Sequence, residues 1–251
     1  MDHEVRFEQS QDAGSVLIRF DHPPTRNALD RVTRARLVDV LREADDDPDV
    51  RVIVLTGTDP SFTSGVDAKQ LLGDPAYQPL PIDPATMIRS LSTPTIAAVN
   101  GSCVSGGLEI ALACSMIIAS DRASFADTHA KLGLTPGWGL SVELPAAIGV
   151  WRARQMTLTA ESIDAATACA WGLVNETVPH DRLLVRADEL AQAIARIRER
   201  SIVNAVQLYR DGQDATQGAS RQIEKEALAA WSVDRSTARA SFAQRVSPPS
   251  T

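Results

Sequence analysis

The 251-residue chain carries 32 acidic residues against 25 Lys plus Arg, a formal charge of −7, which excludes a nucleic-acid backbone as its main partner because phosphates call for a basic face. Apolar residues make up 44% and charged residues 23%, the balance of a globular chain long enough to bury a full core, so disorder and fibrous repeats are excluded as well. Aromatics are only 4%, so Ala, Val, Leu and Ile must fill the interior.

Ser15 to Phe20 reads as a strand, and Val32, Ala35, Val38, Leu41 and Ala44 recur at helical spacing. The run Asp45 to Asp47, followed by Pro48, ends that helix in a solvated turn. Val50 to Leu55 is a short apolar run of the kind buried on both faces of a sheet. Phe62 to Asp67 forms a Gly-centred turn that opens a helix over Ala68 to Leu72. Leu72 to Pro84 carries four prolines and predicts a mobile loop. Thr95 to Val99 is a second apolar strand; the turn Asn100 to Ser105 follows, then a helix to Cys114 and a third strand, Met116 to Ser120. Repeated strand-then-helix units indicate an α/β core.

Beyond Pro145 the periodicity is helical. Asp164 is placed as an N-cap before Ala165 to Ala170, and Leu183 to Ile197 marks an amphipathic helix of about five turns. Ser201 to Tyr209 and Ile223 to Trp231 continue the helical pattern, and the tail from Val246 to Thr251 is expected to be disordered. No apolar run approaches the about 20 residues of a bilayer span. MDHEVRFEQ has no basic region ahead of an apolar stretch, so no secretion signal is expected. Cys103, Cys114 and Cys169 form no CxxC pair, and a cytoplasmic protein with reduced thiols is expected.

The glycine-rich segments are tested by spacing. Gly101 and Gly106 have the separation of a phosphate loop, but Gly107 and Leu108 stand where Lys and Ser/Thr belong. Gly137-Trp138-Gly139 lacks the third glycine of a dinucleotide fingerprint. Ser105, in CVSGG, is one glycine short of a hydrolase nucleophile elbow, which leaves an acyl hydrolase open. A strand, a tight turn and a helix opening at Gly106 would aim free N–H groups at developing negative charge. Glu109 lies in the first turn of that helix, either as a helix-stabilising residue or as a general base beside an anion-binding pocket.

Together these segments resemble the crotonase family, the enoyl-CoA hydratase and isomerase superfamily. The resemblance runs in order through RNALD (26–30), VRVIVLTG (50–57), FTSGVD (62–67), PTIAAVNGSCVSGGLEIALAC (94–114), ASDRASFAD (119–127), GLTPGWG (133–139) and AWGLVNETVP (170–179). It implies an α/β spiral of repeated ββα units over residues 1–195 and a helical region over 196–251 that assembles trimers, often paired into hexamers. It implies an oxyanion hole from the N–H groups of Val66 and Gly106, and an acyl-CoA bound along Arg26, Ala28, Leu29, Ser64, Asp67, Lys69, Gly107 and Trp138. No metal is implied, and no cofactor beyond the coenzyme A of the substrate itself.

Hydratases of this family use two glutamates to hold water. Glu109 matches the first, but His129 stands where the second belongs. With an ordinary pKa of about 6.5, His129 can donate a proton or orient water near neutrality, and Asp127 can fix its tautomer. Ser115 replaces the family's usual Asp, which predicts a looser hydrogen bond there, and Trp138 is bulkier than the residue common in the PGxG turn. The reading is an enoyl-CoA hydratase of acyl-CoA metabolism. The alternatives are an isomerase, C–C lyase or thioester hydrolase working through the same enolate, and an inactive acyl-CoA binding paralogue.

Overall fold

The structure, a computed structural model, describes residues 4–10, 14–73, 79–231 and 238–239. The elements run β1 (Glu4–Ser10), β2 (Ser15–Asp21), α1 (Arg31–Asp46), β3 (Val52–Gly57), β4 (Ser61–Thr63), α2 (Ala68–Gly73), α3 (Pro84–Ser90), β5 (Thr95–Val99), β6 (Ser102–Val104), α4 (Gly106–Ala113), β7 (Met116–Ser120) and β8 (Ser124–Ala126). They continue through α5 (Leu140–Ile148), α6 (Val150–Thr159), β9 (Ile163–Asp164), α7 (Ala165–Trp171), β10 (Glu176–Val178), α8 (Leu183–Ala195) and α9 (Glu199–Ala230).

Two sheets result, one in the order β1-β2-β3-β5-β7-β10 and one in the order β4-β6-β8-β9. Pairing is parallel except at the β1–β2 and β8–β9 pairs. Each of β3, β5 and β7 lies in the large sheet and is followed by a short strand in the small one, so the α/β chain winds as the expected spiral of ββα units.

The apolar runs are buried on both faces for a visible reason. Val52, Val54, Ile96, Ala98 and Ile118 pack with Leu183, Ala187 and Ala191 of α8. The alternate residues Ile53, Leu55, Ala97, Val99, Ile117 and Ala119 enter the main core with α1, α4 and α5. Each fully buried Ile or Leu contributes about 1.5–3 kcal/mol.

The spacing of α1 drifts from the expected face. Steps of three residues fall short of a 3.6-residue turn, so Val32 is 71% exposed, and Arg34, Leu37, Val38, Leu41 and Ala44 form the buried stripe. Asp45 at its end accepts the Thr93 N–H at 2.7 Å. Of the Pro-rich stretch from Leu72 to Pro84, residues 74–78 lie outside the described residues, Leu72 lies in α2, and the last proline starts a helix: Asp83 accepts the Thr86 N–H at 2.8 Å and Pro84 takes the first helical position of α3. Asp164 caps α7 as expected, accepting from Thr167 N at 2.8 Å. α8 stops at Ala195, shorter than five turns, whereas the two later helical signals fuse into one 32-residue helix, α9. The Val246–Thr251 tail lies outside the described residues.

Candidate active site

Parallel pairing of β4 with β6 sets two turns side by side, each leading to a helix. Gly65 has φ +84, and a Cβ on it would stand 2.8 Å from Val104 O and 2.9 Å from Gly106 N. Only glycine lets these backbones approach so closely. A Cβ on Gly106 would in turn lie 3.4 Å from Val66 N, so the two amides expected to hold an oxyanion are neighbours. Among the described residues neither N–H donates to a protein acceptor. Ser105 opens α4 at φ 49 and ψ −108, with its N–H on Ala126 O at 2.9 Å. Its hydroxyl accepts the Thr128 N–H at 2.9 Å and pairs with the Thr128 hydroxyl, so it has no imidazole partner of the kind a nucleophile needs. A Cβ on Gly107 would be 2.5 Å from Thr63 O, so α4 packs closely on β4 at this residue.

Glu109 is 3% exposed. Its Oε1 accepts the N–H groups of Trp138 at 2.8 Å and Leu140 at 3.4 Å. Its Oε2 faces His129 Nε2 at 3.8 Å. Burial pushes the Glu109 carboxyl up from 4.5 to about 7, against the opposing charge of His129 and the Trp138 amide. His129 Nδ1 pairs with Asp127 Oδ1 at 2.8 Å, and Asp127 Oδ2 accepts from the Thr157 hydroxyl at 2.8 Å. Burial acts to lower the His129 pKa, but the Asp127 hydrogen bond and the Glu109 charge outweigh it and hold the ring above its ordinary value. For Asp127 burial acts upward, and the bonds from His129 and Thr157 outweigh it and hold the carboxyl low. The array Asp127–His129–Glu109 can therefore hold and move one proton, with Glu109 in the first turn of the helix that opens at Gly106.

Arg26 to Leu29 lies beside this centre because Asn27 anchors it. Buried Asn27 donates to Thr58 O and Ser61 O, both at 2.7 Å, and its carbonyl accepts the Thr63 hydroxyl at 2.6 Å. Arg26 O accepts the Ser64 N–H at 3.0 Å, and Leu29 bridges Val66. Arg26, Ala28, Leu29, Ser64 and Asp67 are thus brought together, with Leu29 buried and Arg26 exposed. Asp67 Oδ1 accepts the backbone N–H of Lys69 at 2.8 Å at the start of α2, and the Lys69 side chain is exposed. The Trp138 ring stands over Gly106, its Cζ3 3.1 Å from where a Cβ would be. Asn27 went unremarked in the sequence. Its signal was the residue type itself, since Asn tolerates the left-handed backbone that it adopts here at φ 57.

Other expectations resolve plainly. Cys103 is fully buried with its thiol pushed up by burial, a packing residue. Ser115 keeps a reciprocal bond with Thr95, its N–H on Thr95 Oγ1 at 2.9 Å and its Oγ accepting Thr95 N–H at 3.2 Å, so nothing is loosened there. Ser120, His180 and Asp59 are hydrogen-bonded in the order of a hydrolytic triad, at 2.9 Å each, yet Ser120 is fully buried and beyond reach of a substrate. Among the described residues no group of three or more His, Cys, Asp or Glu is placed to hold a metal ion, and no helix is long and apolar enough to cross a membrane.

Known proteins share this arrangement of chain. The family model for enoyl-CoA hydratase/isomerase matches residues 10–248. A probable peroxisomal enoyl-CoA hydratase of Arabidopsis thaliana is 33% identical over 226 residues, 89% of this chain and 85% of that one. The crystal structure of enoyl-CoA hydratase from Mycobacterium tuberculosis H37Rv superposes with a TM-score of 0.84 at 36% identity, over 90% of this chain and 98% of that one. A monofunctional enoyl-CoA isomerase of M. smegmatis gives a TM-score of 0.74 at 34% identity, over 87% and 97%. The order of motifs, the two-sheet spiral and the extent of these matches establish that the chain belongs to the enoyl-CoA hydratase/isomerase family.

Proposed function

We propose that this chain is an enoyl-CoA hydratase, adding water to a trans-2-enoyl-CoA to give the 3-hydroxyacyl-CoA. The observation that carries the reading is Glu109: a buried carboxylate raised to about 7, on the helix that opens at Gly106 and facing His129 at 3.8 Å. The thioester oxygen accepts from the Val66 and Gly106 N–H groups, which draw electron density from the double bond. Water bound between Glu109 Oε2 and His129 Nε2 gives a proton to Glu109 as its oxygen bonds to C3. The resulting enolate takes a proton at C2 from the His129 imidazolium, and transfer from Glu109 to His129 restores the starting state. Asp127, bound to Nδ1, keeps Nε2 as the working nitrogen.

CoA lies along Arg26 to Leu29 and Ser64 to Asp67, with Lys69 near its phosphates and Trp138 bounding the acyl group. No cofactor or metal takes part in this scheme. A homotrimer or dimer of trimers fits the exposed Leu208, Tyr209 and Ile223 of α9, and three free thiols fit a cytoplasmic setting. Incubation with crotonyl-CoA tests the reading: loss of the enone absorbance with gain of one water by mass supports it, and an unchanged substrate rejects it.

One observation favours a second reading. Glu109 is the one carboxylate within 4 Å of His129 Nε2 among the described residues, and a single base suffices to shuttle a proton between C2 and C4 in double-bond isomerisation. A 3-enoyl-CoA converted to the conjugated 2-enoyl isomer, with no hydrated product, would support it.

A further inference from the structure

Four successive backbone amides after Gly137 alternate between two buried carboxylates. Trp138 and Leu140 donate to Glu109 Oε1, at 2.8 and 3.4 Å; Gly139 donates to Glu224 Oε1 at 2.6 Å and Ser141 to Glu224 Oε2 at 2.8 Å. The Ser141 hydroxyl also donates to Glu224 Oε2. Glu224 is 6% exposed, the one buried residue of the long α9, and lies 85 residues from Gly139. The same helix is fastened to α5 by Arg221, whose Nη2 meets Glu143 Oε1 at 2.8 Å, and to the preceding turn by Trp231 Nε1 on Gly133 O at 2.9 Å.

We infer that Glu224 is a positioning residue: by holding the Gly139 and Ser141 amides it fixes the alternating Trp138 and Leu140 amides that grip Glu109 Oε1 and leave Oε2 turned to His129. The importance of this for turnover rests on the hydratase reading; the positioning itself does not. An amide bonded to a carboxylate senses that carboxylate's ionisation, so the Trp138 N–H reports Glu109 directly. The charged groups facing Glu109 are His129 after β8, Arg89 of α3 and Glu224 itself.

The test uses protein labelled with 15N-tryptophan, the Trp138 amide assigned with Trp138→Phe. In the unmodified protein this signal should titrate with Glu109, and the titration should vanish in Glu109→Gln. In Glu224→Ala the Trp138 amide should lose most of that response, and kcat on crotonyl-CoA should fall about tenfold or more with KM within about twofold, as expected for a misplaced base. Glu224→Gln keeps one acceptor oxygen and serves where the alanine variant does not fold; it should lose part of the response. An unchanged Trp138 titration and unchanged kcat in the variant that folds, with only Tm lowered, would overturn the inference and leave Glu224 a helix cap. Absence of hydration by the unmodified protein, with the titration still dependent on Glu224, would reject the hydratase reading alone.

Discussion

His129 Nε2 faces Glu109 Oε2 across 3.8 Å while the Nδ1 of the same ring is bound to Asp127 at 2.8 Å. The imidazole is thereby anchored on one side and left with one working nitrogen on the other. Burial raises the Glu109 carboxyl to about 7, and Asp127 with Glu109 holds the imidazole above its ordinary value in spite of burial. They titrate as a pair. The form poised for hydration has Glu109 ionised and His129 protonated.

The pH dependence of kcat/KM should therefore be bell-shaped. Its acid limb should reflect ionisation of Glu109 near pH 7, and its basic limb, from loss of the His129 proton, should lie above the ordinary histidine value of 6.5. Glu109→Gln should lower kcat by about 10²–10⁴ and His129→Ala should lower it by a similar order. A flat profile between pH 6 and 9 in steady-state assays would contradict the pairing.

Asp127→Asn tests the anchor. An amide still accepts from Nδ1 but brings no charge, so the basic limb should move to lower pH. The variant should also lose on the order of 1–3 kcal/mol of stability at pH 7, read by denaturant unfolding. Because the folded carboxyl is held low, its contribution is present above the unfolded value of 3.8 and fades as pH falls through the folded one. The stability gap between the unmodified protein and the Asp127→Asn variant, measured first at pH 7, should accordingly shrink in strong acid; a constant gap would mean that charge has no part in it.

The fold was legible where apolar runs were long enough to be buried twice over, as in Val50 to Leu55 and Thr95 to Val99. It was not legible in β4, β6 and β8, because three residues are too few to establish a period of two. α3 was hidden by the neighbouring prolines, although Asp83 and Pro84 are themselves a helix-start signal. In the site, Glu109, His129 and the two glycine turns followed from motif order. Glu224 did not, since on its own helix it is one more acidic residue on a polar face. Only its contact with a turn 85 residues away gives it meaning.

Gly106 and Gly107 are adjacent but should fail differently. A Cβ on Gly106 would meet the Trp138 ring at 3.1 Å, which can shift, and would crowd the space before the Val66 amide. Gly106→Ala should lower kcat by about 10²-fold with little change in Tm. A Cβ on Gly107 would meet the Thr63 carbonyl at 2.5 Å, which cannot move without separating α4 from β4. Gly107→Ala should destabilise by about 1–3 kcal/mol in thermal or denaturant unfolding. The opposite pattern would place the ligand against Gly107.

The net charge of −7 sets the last expectation, because a coenzyme A thioester is itself strongly anionic. The overall field opposes binding, so affinity must rest on local cations and backbone dipoles. Arg26 is exposed at φ 57 with its carbonyl tied to Ser64, and Lys69 is exposed on α2 behind the Asp67 cap. Reversing both in Arg26→Glu/Lys69→Glu should raise KM for crotonyl-CoA by about tenfold or more at low ionic strength and leave kcat nearly unchanged. The penalty should shrink at about 0.15 M salt, where the screening length is about 8 Å. A KM that stays the same at low salt would mean that the CoA phosphates lie elsewhere on the surface.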